Sequence, residues 1–148
     1  MKKLLKTICC LLALNYSGCN QKVSFTESDE NEVIQIDHDY SEVEEFSLTR
    51  ESIFDVDSAN YYVYFYSSTC SHCQEIKNYM ISKALERKDI YFVRGTNKDK
   101  ITTDTKILTG AERAEDVWIL GYPSLLLISN KKVTKNLAGN ASIKYELD

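Results

Sequence analysis

Residues 61–66, Tyr-Tyr-Val-Tyr-Phe-Tyr, run without a charge into Ser67-Ser68-Thr69 and then into Cys70-Ser71-His72-Cys73. This succession constrains the chain more than any other stretch. An uncharged run of β-formers bounded by turn residues predicts a central strand covered on both faces. Residues 74–87 then read as a helix with Ile76, Tyr79, Met80, Ala84 and the stem of Lys83 on its inner side. Residues 90–93 (Ile-Tyr-Phe-Val) form the next strand, and a single intervening helix implies a right-handed parallel crossover. Residues 124–128 and 132–136 flank an Asn130-Lys131 turn and predict a hairpin. Short helices are expected at 49–56, capped by Ser47 or Thr49, and at 111–118, while the polar stretch 95–109 suits no regular element. The expected order, β-α-β-α-β-β with a short tail, is that of an α/β domain with a mixed sheet.

The two thiols open the helix. There the free amides and the helix dipole favour a thiolate at the first cysteine, and a two-residue spacing lets the pair close a disulfide with little movement. Cys70 is therefore the expected nucleophile, and Cys73 resolves the mixed disulfide from the more buried side. A structural zinc site normally needs four ligands, whereas this chain offers one cysteine pair with His72 and the distant His38, so no metal site is expected. A purely structural disulfide across so short a loop would add little stability, because the gain grows with loop length. The tyrosines of 61–66, Tyr79, Tyr91 and Trp118 fit core packing better than a ligand cage.

Residues 62–73 and the segment Gly121-Tyr122-Pro123-Ser124-Leu125-Leu126-Leu127 resemble the thioredoxin superfamily over about residues 46–147. That resemblance implies a thioredoxin fold with helices flanking the sheet. Pro123, the only proline in the chain, stands where the family keeps a cis-proline that faces the redox pair and presents backbone to an extended substrate. Ser71, Tyr122 and Pro123 are accordingly the expected substrate-contacting residues, and Gly139 falls where the family has a glycine after its last strand. The family's C-terminal helix is shortened to the nine residues after Gly139. Departures from thioredoxin itself are Tyr64 in place of a buried aspartate, Thr69 in place of the preceding tryptophan, and extra residues within 95–109. Ser71-His72 replaces the Gly-Pro dipeptide and is similar to disulfide isomerases and periplasmic dithiol oxidases. A polarised His72 imidazole would stabilise the Cys70 thiolate and make the disulfide more oxidising. The expected activity is thiol-disulfide exchange on protein cysteines, more oxidase- or isomerase-like than reductase-like. It needs no cofactor beyond the Cys70-Cys73 pair. The chain is also similar to thioredoxin-like accessory proteins of bacteriocin export. A reductase feeding envelope proteins, or a non-catalytic binding lipoprotein that retains the fold, are the alternatives.

The amino terminus carries an address. Lys2, Lys3 and Lys6 precede a short apolar run at 8–14, too short for the roughly 20 residues that span a bilayer. Ser17-Gly18-Cys19 looks like a bacterial lipoprotein processing site, although Tyr16 stands where an aliphatic residue is usual. Residues 1–18 are thus the expected signal peptide, and Cys19 the lipidated terminus on the outer face of a membrane. Of five cysteines, Cys9 and Cys10 would leave with the signal and Cys19 would be lipidated, so Cys70 and Cys73 are the remaining thiols. Between residues 23 and 45 lie nine acidic residues and no Lys or Arg, which predicts a solvated tether over 19–45 of about 30 Å span, broken only by a possible edge strand at 33–36. The folded domain is expected over 46–148. A formal charge of -4 argues against a nucleic-acid footprint. The expected partners are substrate proteins bearing thiols or disulfides and a membrane redox protein, with the chain itself a monomer.

Overall fold

The computed structural model describes residues 36–148. Its strands are β1 (Ser47–Leu48), β2 (Asn60–Tyr66), β3 (Ile90–Arg94), β4 (Ser124–Ser129) and β5 (Lys132–Ala138), and its α-helices are α1 (Ser71–Arg87) and α2 (Asn140–Leu147). The strands form one sheet in the order β1-β3-β2-β4-β5. β3 pairs parallel with both β1 and β2, whereas β4 runs antiparallel to β2 and to β5. The parallel β2-α1-β3 crossover and the β4-β5 hairpin follow the sequence reading.

The aromatic strand is central because its side chains serve two cores at once. Tyr64 and Tyr66 join Cys73, Ile76, Met80, Ile81, Phe92, Ile143 and Leu147 on the face covered by both α-helices. Tyr61, Val63 and Phe65 join Ile53, Val117, Ile119 and Leu126 on the opposite face. With roughly 1.5–3 kcal/mol for each large apolar side chain removed from water, this alternation fixes the register of β2. The Tyr61 hydroxyl, buried with its ring, donates to the Ile53 carbonyl at 2.7 Å.

Neither short helix expected on that second face forms. Residues 49–56 contribute only a 3-10 turn, Arg50–Ser52, held by reciprocal Thr49–Ser52 hydrogen bonds. In 111–118 a single 3-10 turn, Ala114–Asp116, gives way to extended backbone at Val117. The reason is that Val117 and Ile119 are both buried, and Ile119 bridges Ile101 with backbone hydrogen bonds to residues 100 and 102. A helix could not spread those groups along the sheet.

The folded part starts before residue 46. A 3-10 helix, Tyr40–Phe46, carries a capping box in which Asp39 accepts from Ser41 and Glu42 accepts from the Asp39 amide. Val43 and Phe46 are buried, and Tyr40 stacks on Tyr66 with ring centroids 4.0 Å apart. His38 bridges Glu42 and Ser82 on α1 at 2.9 Å each. The end of the acidic stretch expected to be tether therefore packs onto α1, because its apolar residues recur on one side and its carboxylates cap amides. Ile36, expected in an edge strand, is exposed and outside any strand. Residues 1–35, with the signal, Cys19 and most of the tether, lie outside the described residues.

At the far side, Asn130 and Lys131 adopt positive φ values of 50° and 62°, the backbone that a two-residue hairpin turn needs. The Val133 backbone on β5 bonds outward to Gly110 and Ala111, so a loop covers part of that edge. After Gly139, the expected short tail is α2, which buries Ile143 and Leu147.

Candidate active site

β2 delivers the chain to the sheet edge at Tyr66, and the turn at 67–69 closes with the Cys70 amide donating to the Ser67 carbonyl at 3.3 Å. Cys70 then caps α1. Its Sγ accepts the Cys73 amide at 3.2 Å, which is why the helix begins at Ser71 rather than at 74 as the sequence suggested. No acidic residue occupies the first turn, so the positive end of the dipole stays uncompensated beside that sulfur.

The two thiols, both free, differ in access. Cys70 is half-buried and Cys73 fully buried in the core beneath α1. Burial, then the hydrogen bond with Cys70, pushes the Cys73 thiol up to about 12. Cys70 is thus the sulfur that a second molecule can reach, and Cys73 is the protonated partner behind it.

Across from Cys70 lies the Tyr122-Pro123 peptide, which is cis. The Cys70 thiol donates to the Tyr122 carbonyl at 3.4 Å. The Ser124 hydroxyl donates to the Gly121 carbonyl at 2.7 Å, and the Gly139 amide donates to the Pro123 carbonyl at 3.1 Å. These bonds hold the segment from β4 and from the end of β5. The Cys70 sulfur, with Cys73 behind it, therefore meets the Tyr122-Pro123 backbone, with Pro123 buried and Ser71 exposed.

His72 and the Tyr122 side chain point elsewhere. His72 is 69% exposed, and its Nδ1 lies 3.2 Å from Glu75, a carboxylate that also accepts from Asn140. No hydrogen bond joins the imidazole to Cys70 among the described residues. The Tyr122 ring turns inward against Gly95, where a Cβ would collide with it, and its hydroxyl donates to Asp99. Burial and then the Asp99 carboxylate raise the Tyr122 phenol well above its ordinary range. Asp99, whose side chain is 1% exposed, pairs with Arg50 at 3.0 Å. Sequence reading missed this pair, since one aspartate in a polar stretch carries no periodic or spacing signal.

Two further hydroxyls stand behind the thiols. Among the described residues, the buried hydroxyl oxygens of Tyr40 and Tyr64 have no hydrogen-bond partner within bonding geometry. Burial raises both phenols, each influences the other's ionisation, and both lie within electrostatic reach of Cys70 and Cys73. The thiols therefore share this core with two phenols that burial keeps neutral. Cys19 lies outside the described residues. Among those described, no cluster of three or more His, Cys, Asp or Glu side chains could hold a metal ion, and no helix is long and apolar enough to cross a membrane.

No family model matches the chain, and no curated protein matches it. Solved structures that it resembles include thioredoxin f2 of Chlamydomonas reinhardtii, with 19% identity, 69% of this chain and 91% of that one covered, and a TM-score of 0.45. Spinach chloroplast thioredoxin f, long form, is 14% identical over 68% of this chain and 78% of that one, at a TM-score of 0.46. Oxidised mitochondrial thioredoxin 3 of Saccharomyces cerevisiae is 13% identical over 68% and 89% respectively, at 0.44. The strand order, the parallel β2-α1-β3 unit, the antiparallel hairpin and the final helix define the architecture. The chain is an α/β protein with the thioredoxin fold, and it carries a Cys-x-x-Cys pair at the start of α1 opposite a cis-proline.

Proposed function

We propose that the protein is a thiol-disulfide oxidoreductase acting on protein cysteines. The observation that carries this reading is the reachable Cys70 sulfur at the start of α1, with the buried Cys73 thiol behind it and the Tyr122-Pro123 backbone in front. In the reducing direction, the Cys70 thiolate attacks a substrate disulfide, forming a mixed disulfide and releasing one substrate thiolate. Cys73 attacks the Cys70 sulfur, its proton passing to water or to the departing sulfur, which closes the Cys70-Cys73 disulfide and releases the second substrate sulfur. Two electrons pass to the substrate, and the reverse sequence donates a disulfide.

Oxidase- or isomerase-like use is the finer reading. The Cys73 amide and the helix dipole stabilise negative charge that develops on the Cys70 sulfur as it leaves a mixed disulfide. Among the described residues, the buried side chains clustered with Cys73 are apolar or phenolic, Tyr64 among them, and include no carboxylate. Since His72 is turned toward Glu75, this stabilisation comes from the helix start rather than from the imidazole. The pair itself is the redox group, so no further cofactor is needed. We place the protein on the outer face of a membrane, held by a lipid on Cys19, acting as a monomer on exported proteins and exchanging electrons with a membrane redox partner.

Equilibration of a fragment spanning residues 20–148 with glutathione, read by thiol alkylation, tests the direction. A potential of about -120 to -180 mV is expected, and one near -270 mV or below would overturn the oxidase reading. Cys70→Ser is expected to abolish exchange, whereas full exchange by that variant would overturn the reading altogether.

A further inference from the structure

Residues 95–109 have no element assigned by sequence, yet the segment is tied into the site. The Gly95 amide donates to the Tyr66 carbonyl at 2.6 Å, carrying on from β3 beside β2. The Thr96 amide donates to Asp99 at 3.0 Å, which folds the loop back so that the carboxylate points inward. There Asp99 meets Arg50, whose side chain is only 11% exposed and which also donates to the Val117 carbonyl at 2.5 Å. A buried ion pair is poor evidence for stability, because removing both charges from water offsets most of their attraction. What distinguishes this pair is its third member. The Tyr122 hydroxyl donates to the same carboxylate, and the Tyr122 ring occupies the space left by the missing side chain of Gly95.

Tyr122 is therefore held at both ends. Its side chain is fixed on Asp99, and its carbonyl accepts the Cys70 thiol. We propose that Asp99, anchored by Arg50, is a positioning residue for the redox pair: through Tyr122 it fixes the carbonyl that receives the Cys70 S–H, and so makes the 95–109 loop part of the site. This rests on the thiol-disulfide reading only in concerning the same sulfur. A disulfide sulfur carries no proton, so the Cys70 to Tyr122 hydrogen bond exists only in the reduced protein. Fixing the carbonyl favours the dithiol in the balanced exchange with two glutathiones and glutathione disulfide, and makes the protein disulfide more oxidising.

Tyr122→Phe removes the link while keeping the ring, and Asp99→Asn removes the charge while keeping the shape. Each variant is equilibrated with glutathione beside the wild type at one fixed pH. The expected result is a shift of about threefold toward the disulfide, the low end for one hydrogen bond because S–H is a weak donor. That corresponds to a potential about 14 mV more negative. Asp99→Asn leaves Arg50 buried without its charge partner and can fail to fold, so Tyr122→Phe decides. A folded Tyr122→Phe protein with the wild-type potential, or a more oxidising one, overturns the proposal. Loss of packing alone would lower the melting temperature without moving the potential. Because the potential is measured on the protein's own thiols, failure of this proposal and failure to act on substrate proteins are read separately.

Discussion

The buried Cys73 thiol ties the stability of the reduced protein to pH in a direction that can be worked out. The thiol is raised from 9.0 to about 12, chiefly by burial, and the folded state therefore holds its proton where the unfolded chain has released it. Proton binding is greater in the folded state, so stability falls as pH rises. The contribution is complete below about pH 9 and is lost progressively between 9 and about 12. Between about pH 8 and pH 10.5 the expected loss from this group is about 2 kcal/mol. Tyrosines such as Tyr61, Tyr64 and Tyr122 are also raised by burial and lose stability over an overlapping range. The Cys73→Ala variant retains all of them and lacks only the thiol. Urea unfolding of both proteins under a phosphine reductant at the two pH values isolates the difference. With a urea slope of about 1–3 kcal/mol per M, the wild-type midpoint should drop by roughly 1 M more than that of the variant. Equal drops would refute the placement of Cys73 as a buried, protonated thiol.

Tyr64→Phe removes a buried hydroxyl that has no partner, so the variant is expected to gain up to about 1 kcal/mol in urea unfolding; a loss of that size would show that the hydroxyl is satisfied. Gly95→Ala forces a methyl into the Tyr122 ring and should cost about 1–3 kcal/mol, whereas a neutral result would place the ring elsewhere. Val43→Ala tests the packing of the Tyr40–Phe46 helix, with an expected cost of about 2 kcal/mol in the same assay; no cost would mean that the segment is not part of the folded domain.

What could be read from the sequence was whatever repeats locally. The aromatic run at 61–66 left one interpretation, and the β4-β5 hairpin was legible from the apolar run at 124–128 followed by the Asn130-Lys131 turn. Cis-Pro123 came from the resemblance, since one proline before a strand has no local signature of its isomer. β1 escaped notice because two residues carry no period. The first turn of α1 was missed because Ser71 and His72 are indifferent helix formers, and the turn depends on the Cys70 cap. The 3-10 turns near residues 50 and 115 passed for helices because a short apolar spacing does not separate one helical turn from three. The charge of residues 37–45 concealed a docked segment, and the Asp99-Arg50-Tyr122 link joins residues too far apart in the chain for any pattern to connect.

The loop that covers β5 bears on how copies of this protein meet. An uncovered sheet edge is a row of open donors and acceptors that invites another chain to add a strand. Here one edge is the two-residue β1, and on the other the Val133 backbone is already bonded to Gly110 and Ala111, with Lys132 and Lys135 on the same strand. One edge is too short for a long ladder, and the other is closed at Val133. For the proposed membrane-held protein, crowding at a surface would thus bring copies together through side chains more readily than through added strands.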